Sequence, residues 1–174
     1  MSTEPTTNTR LTNDLRQAFV AALPIMAGYL VLGIPCGILG VHAGMSPLQI
    51  AFMSLLFYSG AGQYLIPNMM LAGMSVASIA LSVSLVNARH ILYGASVSRF
   101  TEKAGRLYSF LFAATITDES YGVNLERFSG DTNWSLRKAT FTNLLSHLSW
   151  ISANVAGALL GSFLSPLFTY PNFS

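Results

Sequence analysis

The chain has 174 residues, of which 52% are hydrophobic and only 9% charged, and its mean hydropathy is +0.50. A soluble domain ordinarily carries about 25% charged residues. The charges are also clustered: four lie in residues 1–16, none in 17–88, twelve in 89–138 and none in 139–174. An uncharged run as long as 17–88 cannot cover the surface of a soluble domain. This excludes a soluble enzyme, a nucleic-acid-binding module and a disordered tail, and it points to an all-α integral membrane protein.

Residues 1–16 read as a polar N-terminal tail and 17–174 as a transmembrane helical domain. The tail holds too many acidic residues, and precedes the apolar sequence by too much, to be a secretory signal peptide. The net charge of +2 comes without a basic cluster long enough to follow phosphates. The single cysteine, Cys36, excludes an internal disulfide and a cysteine-rich metal site, and it reads as core packing.

A membrane helix needs roughly 20 apolar residues. Five segments meet or approach that: 18–40, 47–66, 69–88, 107–125 and 139–164. The apolar runs are continuous rather than alternating, which argues against an outer-membrane barrel. The expectation is a polytopic helical bundle with helices broken at Gly and Pro. Counting does not orient it. Whether all five segments cross or an early one is re-entrant, the Lys and Arg other than Arg89 divide five against three between the sides. The glycines and prolines favour a broken or re-entrant early segment.

In the first segment, Pro35 cannot donate to the carbonyl of Val31, so a break is expected near Gly33 and Pro35. Gly33 and Gly37 also form a G-x-x-x-G pair, which permits close helix packing instead. The second segment carries Ser59-Gly60-Ala61-Gly62-Gln63, a weak helical stretch with polar side chains, and is expected to close at Pro67-Asn68. Two interrupted apolar segments point to a transporter binding site. The third is expected to end at Arg89-His90, with Ser75, Ser78, Ser82 and Arg89 on one broad face. Arg89, two residues after Asn87, suits a carboxylate because of its bidentate fork, or serves as an interfacial anchor.

Asp118 and Glu119 interrupt the fourth segment. At membrane depth, two adjacent carboxylates suit proton coupling; otherwise the helix ends near Thr117 and they lie in a wet loop. Residues 126–138 read as a polar loop. Asn143, His147, Trp150 and Asn154 share one face of the fifth segment, with His147 as a proton relay or an interhelical hydrogen bonder. His42 reads as an exposed turn residue. No nucleotide, metal or calcium motif appears, and no cofactor is implied. A Ser59–His147 dyad is the one catalytic alternative.

The sequence resembles one known family in Gly33-Ile34-Pro35-x-Gly37, Gly44-Met45-Ser46-Pro47, Ser59-Gly60-Ala61-x-Gln63, Asn87-x-Arg89-His90-x-x-Tyr93-Gly94 and Thr117-Asp118-Glu119. These motifs, in this order, are similar to those of the AzlC-type branched-chain amino acid permeases. The resemblance implies an inner-membrane exporter of Leu, Ile, Val and Met, working with a small hydrophobic AzlD-type subunit. Members usually continue with further apolar sequence after the fifth segment, so a chain ending at Ser174 reads as a short or truncated member.

The expected function is therefore secondary, proton-coupled export through the lipid bilayer. Substrate is expected at Gly33, Pro35, Gly37, Ser59, Gly60, Gly62, Gln63, Asn87 and Arg89, and coupling at Asp118, Glu119 and His147. A non-transporting scaffold or assembly subunit is the alternative.

Overall fold

A computed structural model describes residues 7–102 and 104–168, which form eight helices and, among the described residues, no strand. They are α1 (Thr7–His42), α2 (Pro47–Leu56), α3 (Gly60–Leu71), α4 (Val76–Asn87), α5 (Arg89–Thr101), α6 (Arg106–Ala114), α7 (Asp118–Gly130) and α8 (Leu136–Phe168). Three stretches are long and apolar enough to cross a membrane: Arg10–His42, Val76–Thr101 and Leu136–Leu164. The helices α2, α3, α6 and α7 have 10, 12, 9 and 13 residues. At 1.5 Å per residue none reaches the roughly 30 Å of a hydrocarbon core.

The chain folds as two compact units. One comprises Met1–Met26 and His90–Ser146, the other Ala27–Arg89 and His147–Ser174. We call them the first and second units. Of all the formally charged residues, only Arg89 falls in the second.

In the second unit, Ser46 caps α2 in a capping box with Gln49, and Pro47 takes the first helical turn, where no N–H is needed. The chain then descends along α1 and comes back. Ile50 packs on Gly40, the Tyr58 ring lies 6.3 Å from that of Tyr29, and Tyr64 Oη donates to Leu32 O at 2.6 Å. The contacts on α1 thus run from residue 40 to 29 and return to 32, so α2 and α3 form a hairpin. Gly73, at φ 68°, turns the chain, and Ser75 caps α4 through Ser78 N.

The first unit repeats this plan. Ser109 Oγ meets Thr101 O where α6 leaves α5. Along α5, Tyr93 bonds Asp118, Ser96 bonds Tyr121 at 2.9 Å, and Phe100 stacks on Phe128 at 4.3 Å. Ascending positions of α5 thus meet ascending positions of α7, so α6 runs back along α5 and α7 returns. Its core gathers Ala21, Val97, Phe112, Ile116, Trp134 and Ala139.

Several expectations are corrected, among them the polar loop at 126–138: α7 runs to Gly130 and α8 starts at Leu136, leaving only 131–135 as the connection. The expected tail is already helical from Thr7. No break occurs at Gly33–Pro35: α1 is continuous, and Pro35 faces outward. Gly33 and Gly37 instead receive α8. A Cβ on Gly37 would lie 2.1 Å from Asn154 O, and one on Gly157 2.1 Å from Ile34 O. Two backbones in such contact gain the close packing that associates helices in lipid. Pro67 does not end the second segment, because α3 continues through it to Leu71. Nor do Arg89 and His90 end the third. Gly73 and Ser75 move its start to Val76, leaving both residues halfway along the 26-residue stretch Val76–Thr101.

Candidate functional site

In the second unit the helix is interrupted at residues 57–59. Ser59 is extended and buried. Its Oγ accepts from Gly62 N at 3.2 Å and donates to Asn87 Oδ1, at the end of α4, at 2.6 Å. Gln63 is fully buried and both its amide atoms are engaged. Nε2 donates to Phe57 O, while Oε1 accepts from Ser54 Oγ at 3.1 Å and from Trp150 Nε1 at 3.0 Å. Such full satisfaction is what lets an irregular stretch of backbone be buried. Gln63 thus braces the break through both ends of its amide.

Aromatic rings close around it. Tyr58 stacks on His147 at 3.9 Å, Tyr29 meets Trp150 edge-on at 5.2 Å, and Trp150 lies against Gly60. His147 Nε2 is 2.9 Å from Ser54 O, a carbonyl near the end of α2. A Cβ on Gly60 would have the Trp150 ring as its nearest neighbour, at 3.5 Å, whereas one on Gly62 would lie 2.7 Å from the Phe57 ring. Gly60 therefore has room for a small side chain at ordinary contact with Trp150, and Gly62 is a packing glycine.

The first unit has its own break at residues 115–117. Thr117 caps α7 in a capping box with Ser120. Asp118 and Glu119 occupy the first turn of α7, where the positive end of the helix dipole favours carboxylates. Asp118 accepts from Tyr93 Oη, while Glu119 is exposed. They thus lie neither within a continuous helix nor in a loop past its end. Tyr121 stacks on Tyr93 at 4.5 Å. Asn143 Nδ2 donates to Phe112 O at 3.3 Å, and its Oδ1 accepts from Asn124 Nδ2 at 2.8 Å.

The two breaks follow one pattern. Phe112 stands to Thr117 in sequence as Ser54 stands to Ser59, and in each case a side chain of α8 reaches that carbonyl. The end of a helix has carbonyls that no further turn of the helix can satisfy, and α8 gives each of these two a side-chain partner: His147 for Ser54 O, and Asn143 for Phe112 O beside the bonds it accepts from Thr115.

Of the residues expected at the site, Ser59, Gly60, Gly62, Gln63, Asn87 and His147 gather at the second unit's break. Arg89 follows Asn87 by two positions at the start of α5. Gly33 and Gly37 lie in the α1–α8 contact, and Pro35 is exposed. Asp118 and Glu119 belong to the first unit and His147 to the second. The Ser59–His147 dyad does not form, since Ser59 bonds Asn87 and His147 reaches Ser54 O. Sequence reasoning passed over Tyr58 and Asn124, and named Tyr93 only within a family motif. The signal for Tyr58 was its place beside Ser59-Gly60. Among the described residues there is no cluster of three or more metal-ligating side chains.

The AzlC protein family matches residues 24–164. The inner membrane protein YgaZ of Escherichia coli (strain K12) is 32% identical over 145 residues, 82% of this chain and 59% of that protein. The branched-chain amino acid transport protein AzlC of Bacillus subtilis (strain 168) is 30% identical over 152 residues, 86% of this chain and 58% of the relative. A membrane protein of Helicobacter pylori (strain 26695) is 32% identical over 152 residues, covering 86% and 65%. The chain thus spans less than two thirds of the length of these relatives. No solved structure matches it. The match covers most of the apolar sequence and both broken hairpins, and the chain is a multi-pass helical membrane protein belonging to the AzlC protein family.

Proposed function

We propose that the protein carries the branched-chain amino acids Leu, Ile and Val, and with them Met, out across the inner membrane, coupled to protons, together with a small hydrophobic AzlD-type subunit. The observation that carries this is the break between α2 and α3. There the carbonyl end of one helix meets the N–H end of the next. Their dipoles place partial negative and positive charge side by side, which matches the ammonium and carboxylate of a zwitterion. The N–H groups of Gly60 and Ala61 precede the first helical hydrogen bond, Gln63 N to Ser59 O, and suit a carboxylate, as does the guanidinium of Arg89. Tyr29, Tyr58 and Trp150 surround the break with aromatic rings, an apolar setting that suits an aliphatic side chain. The name of the Bacillus subtilis relative supports the substrate class.

Coupling is assigned to Asp118, with Tyr93 holding its carboxylate, and Glu119 is an accessory. The membrane topology consists of three crossings, α1, α4–α5 and α8, while each hairpin leaves on the side it entered. The start of α1 and the connections at 102–105 and 131–135 then share a side, and every Lys and Arg except Arg89 lies in or near these stretches of sequence. That side is cytoplasmic by the positive-inside rule. The five-against-three tie vanishes because neither hairpin crosses.

The test is efflux of labelled leucine from loaded proteoliposomes, with and without a proton gradient. Gradient-dependent efflux is expected. Asp118→Asn should keep leucine exchange but lose gradient dependence, whereas Glu119→Gln should only weaken it. Absence of both efflux and leucine binding would overturn the reading in favour of a scaffold.

A further inference from the structure

We propose that the first unit holds a specific site for an anionic glycerophospholipid, between the start of α1 and the α7–α8 connection. A cavity of about 460 Å³ there is lined by Asn13, Arg16, Gln17, Arg127, Asp131 and Trp134. Next to it, and sharing Arg16, runs a groove of about 350 Å³ lined by Leu15, Phe19 and Leu145. One compartment is polar and basic, the other apolar, and the two meet at an arginine. That is the outline of a headgroup joined to an acyl chain.

The charges support a phosphate in the first compartment. Asp14, the nearest carboxylate on α1, is already held by Arg137 and Lys138. Asp131 lines the cavity, but its Oδ1 accepts from Asn133 N at 2.8 Å within its own turn. Two guanidiniums, those of Arg16 and Arg127, thus face one engaged carboxylate. Arg127 also lies over the Trp134 ring, 5.6 Å from its centroid, which fixes its plane and leaves its N–H fork for an anion. Gln17 and Asn13 add neutral donors.

The sequence places this cavity at membrane-surface depth. Arg16 immediately precedes the uncharged run, and Arg127, Asp131 and Trp134 lie in the charged stretch before α8. Trp and Arg side by side at that depth mark the headgroup layer, and basic pockets there take anionic lipid headgroups. A free phosphate would satisfy the two arginines equally well. The apolar groove is what selects a lipid.

Trp134 is a built-in reporter. The protein is reconstituted in phosphatidylcholine vesicles that contain a small fraction of phosphatidylglycerol or of phosphatidylcholine with brominated acyl chains. Quenching of Trp134 is taken as the difference between the wild type and Trp134→Phe. Brominated phosphatidylglycerol should occupy the site with about a thirtyfold preference, as two arginines near an anionic surface imply. Arg16→Gln with Arg127→Gln should abolish that preference, and millimolar inorganic phosphate should leave it unchanged. Equal quenching by both lipids in the wild type overturns the proposal without recourse to any variant. Displacement of the lipid by inorganic phosphate overturns it too, leaving an anion site with no acyl component.

Discussion

Ser59 and Asn87 are joined across the broken hairpin of the second unit, with Ser59 Oγ donating to Asn87 Oδ1 at 2.6 Å. The same oxygen accepts from Gly62 N, so one hydroxyl starts α3 and ties it to the end of α4. Ser59→Ala removes both bonds. It should destabilise the protein by about 1–2 kcal/mol and lower leucine efflux about tenfold. Ser59→Thr keeps both bonds and should retain most of the activity. Thermal unfolding and efflux of the two variants check this, and equal efflux in both would detach the hydroxyl from function.

The glycines of the same hairpin separate packing from access. Gly60→Ala adds a methyl at ordinary contact distance from Trp150 and should fold normally. Gly62→Ala must displace the Phe57 ring and should cost about 1–3 kcal/mol, as overpacking does. The expected order of melting temperatures is wild type, Gly60→Ala, then Gly62→Ala.

The α1–α8 contact tolerates even less. Gly37→Ala would drive a methyl into the Asn154 carbonyl, whereas nothing lies within 4 Å of a Cβ on Gly28. Gly37→Ala should therefore reduce the yield of folded protein severalfold, while Gly28→Ala should match the wild type in size-exclusion profiles. A well-folded Gly37→Ala protein would mean that α1 and α8 can separate freely.

How much of this was legible in the sequence depended on whether the partner was near in the chain. The Ser46-Pro47 start of α2 and the break at Ser59-Gly60 are local signals, and both appear as features of the structure. Thr117-Asp118-Glu119-Ser120 was equally local: a hydroxyl before two carboxylates is a helix start, yet the pair was weighed as buried or looped. Pro35 misled because the groove flanking it is filled by Gly157 and Gly161, far along the chain on α8. Arg89 misled because a charge was taken to mark a membrane edge, although Gly73 and Ser75 already marked where the helix began. The return of each hairpin is a tertiary fact, and no periodicity encodes it.

The topology can be tested with single cysteines in a Cys36→Ala background. Ala43→Cys and Ala72→Cys flank α2 and α3, so a re-entrant hairpin exposes both on the outer face. Both should react with an impermeant maleimide in intact spheroplasts, and Thr132→Cys only after permeabilisation. Labelling of Ala43→Cys and Ala72→Cys from opposite sides would show that the pair crosses the membrane.

The claim on which the account rests is that the α2–α3 break binds the substrate, and a thiol placed there measures this directly. A cysteine at position 60 would have its Cβ 3.5 Å from Trp150, so Gly60→Cys in the Cys36→Ala background should fold and react with a small methanethiosulfonate. Leucine should slow that reaction severalfold in a saturable manner, and lysine and glutamate should not. A modification rate unchanged at saturating leucine, in a variant that still exports it, would place the substrate elsewhere and contradict the account.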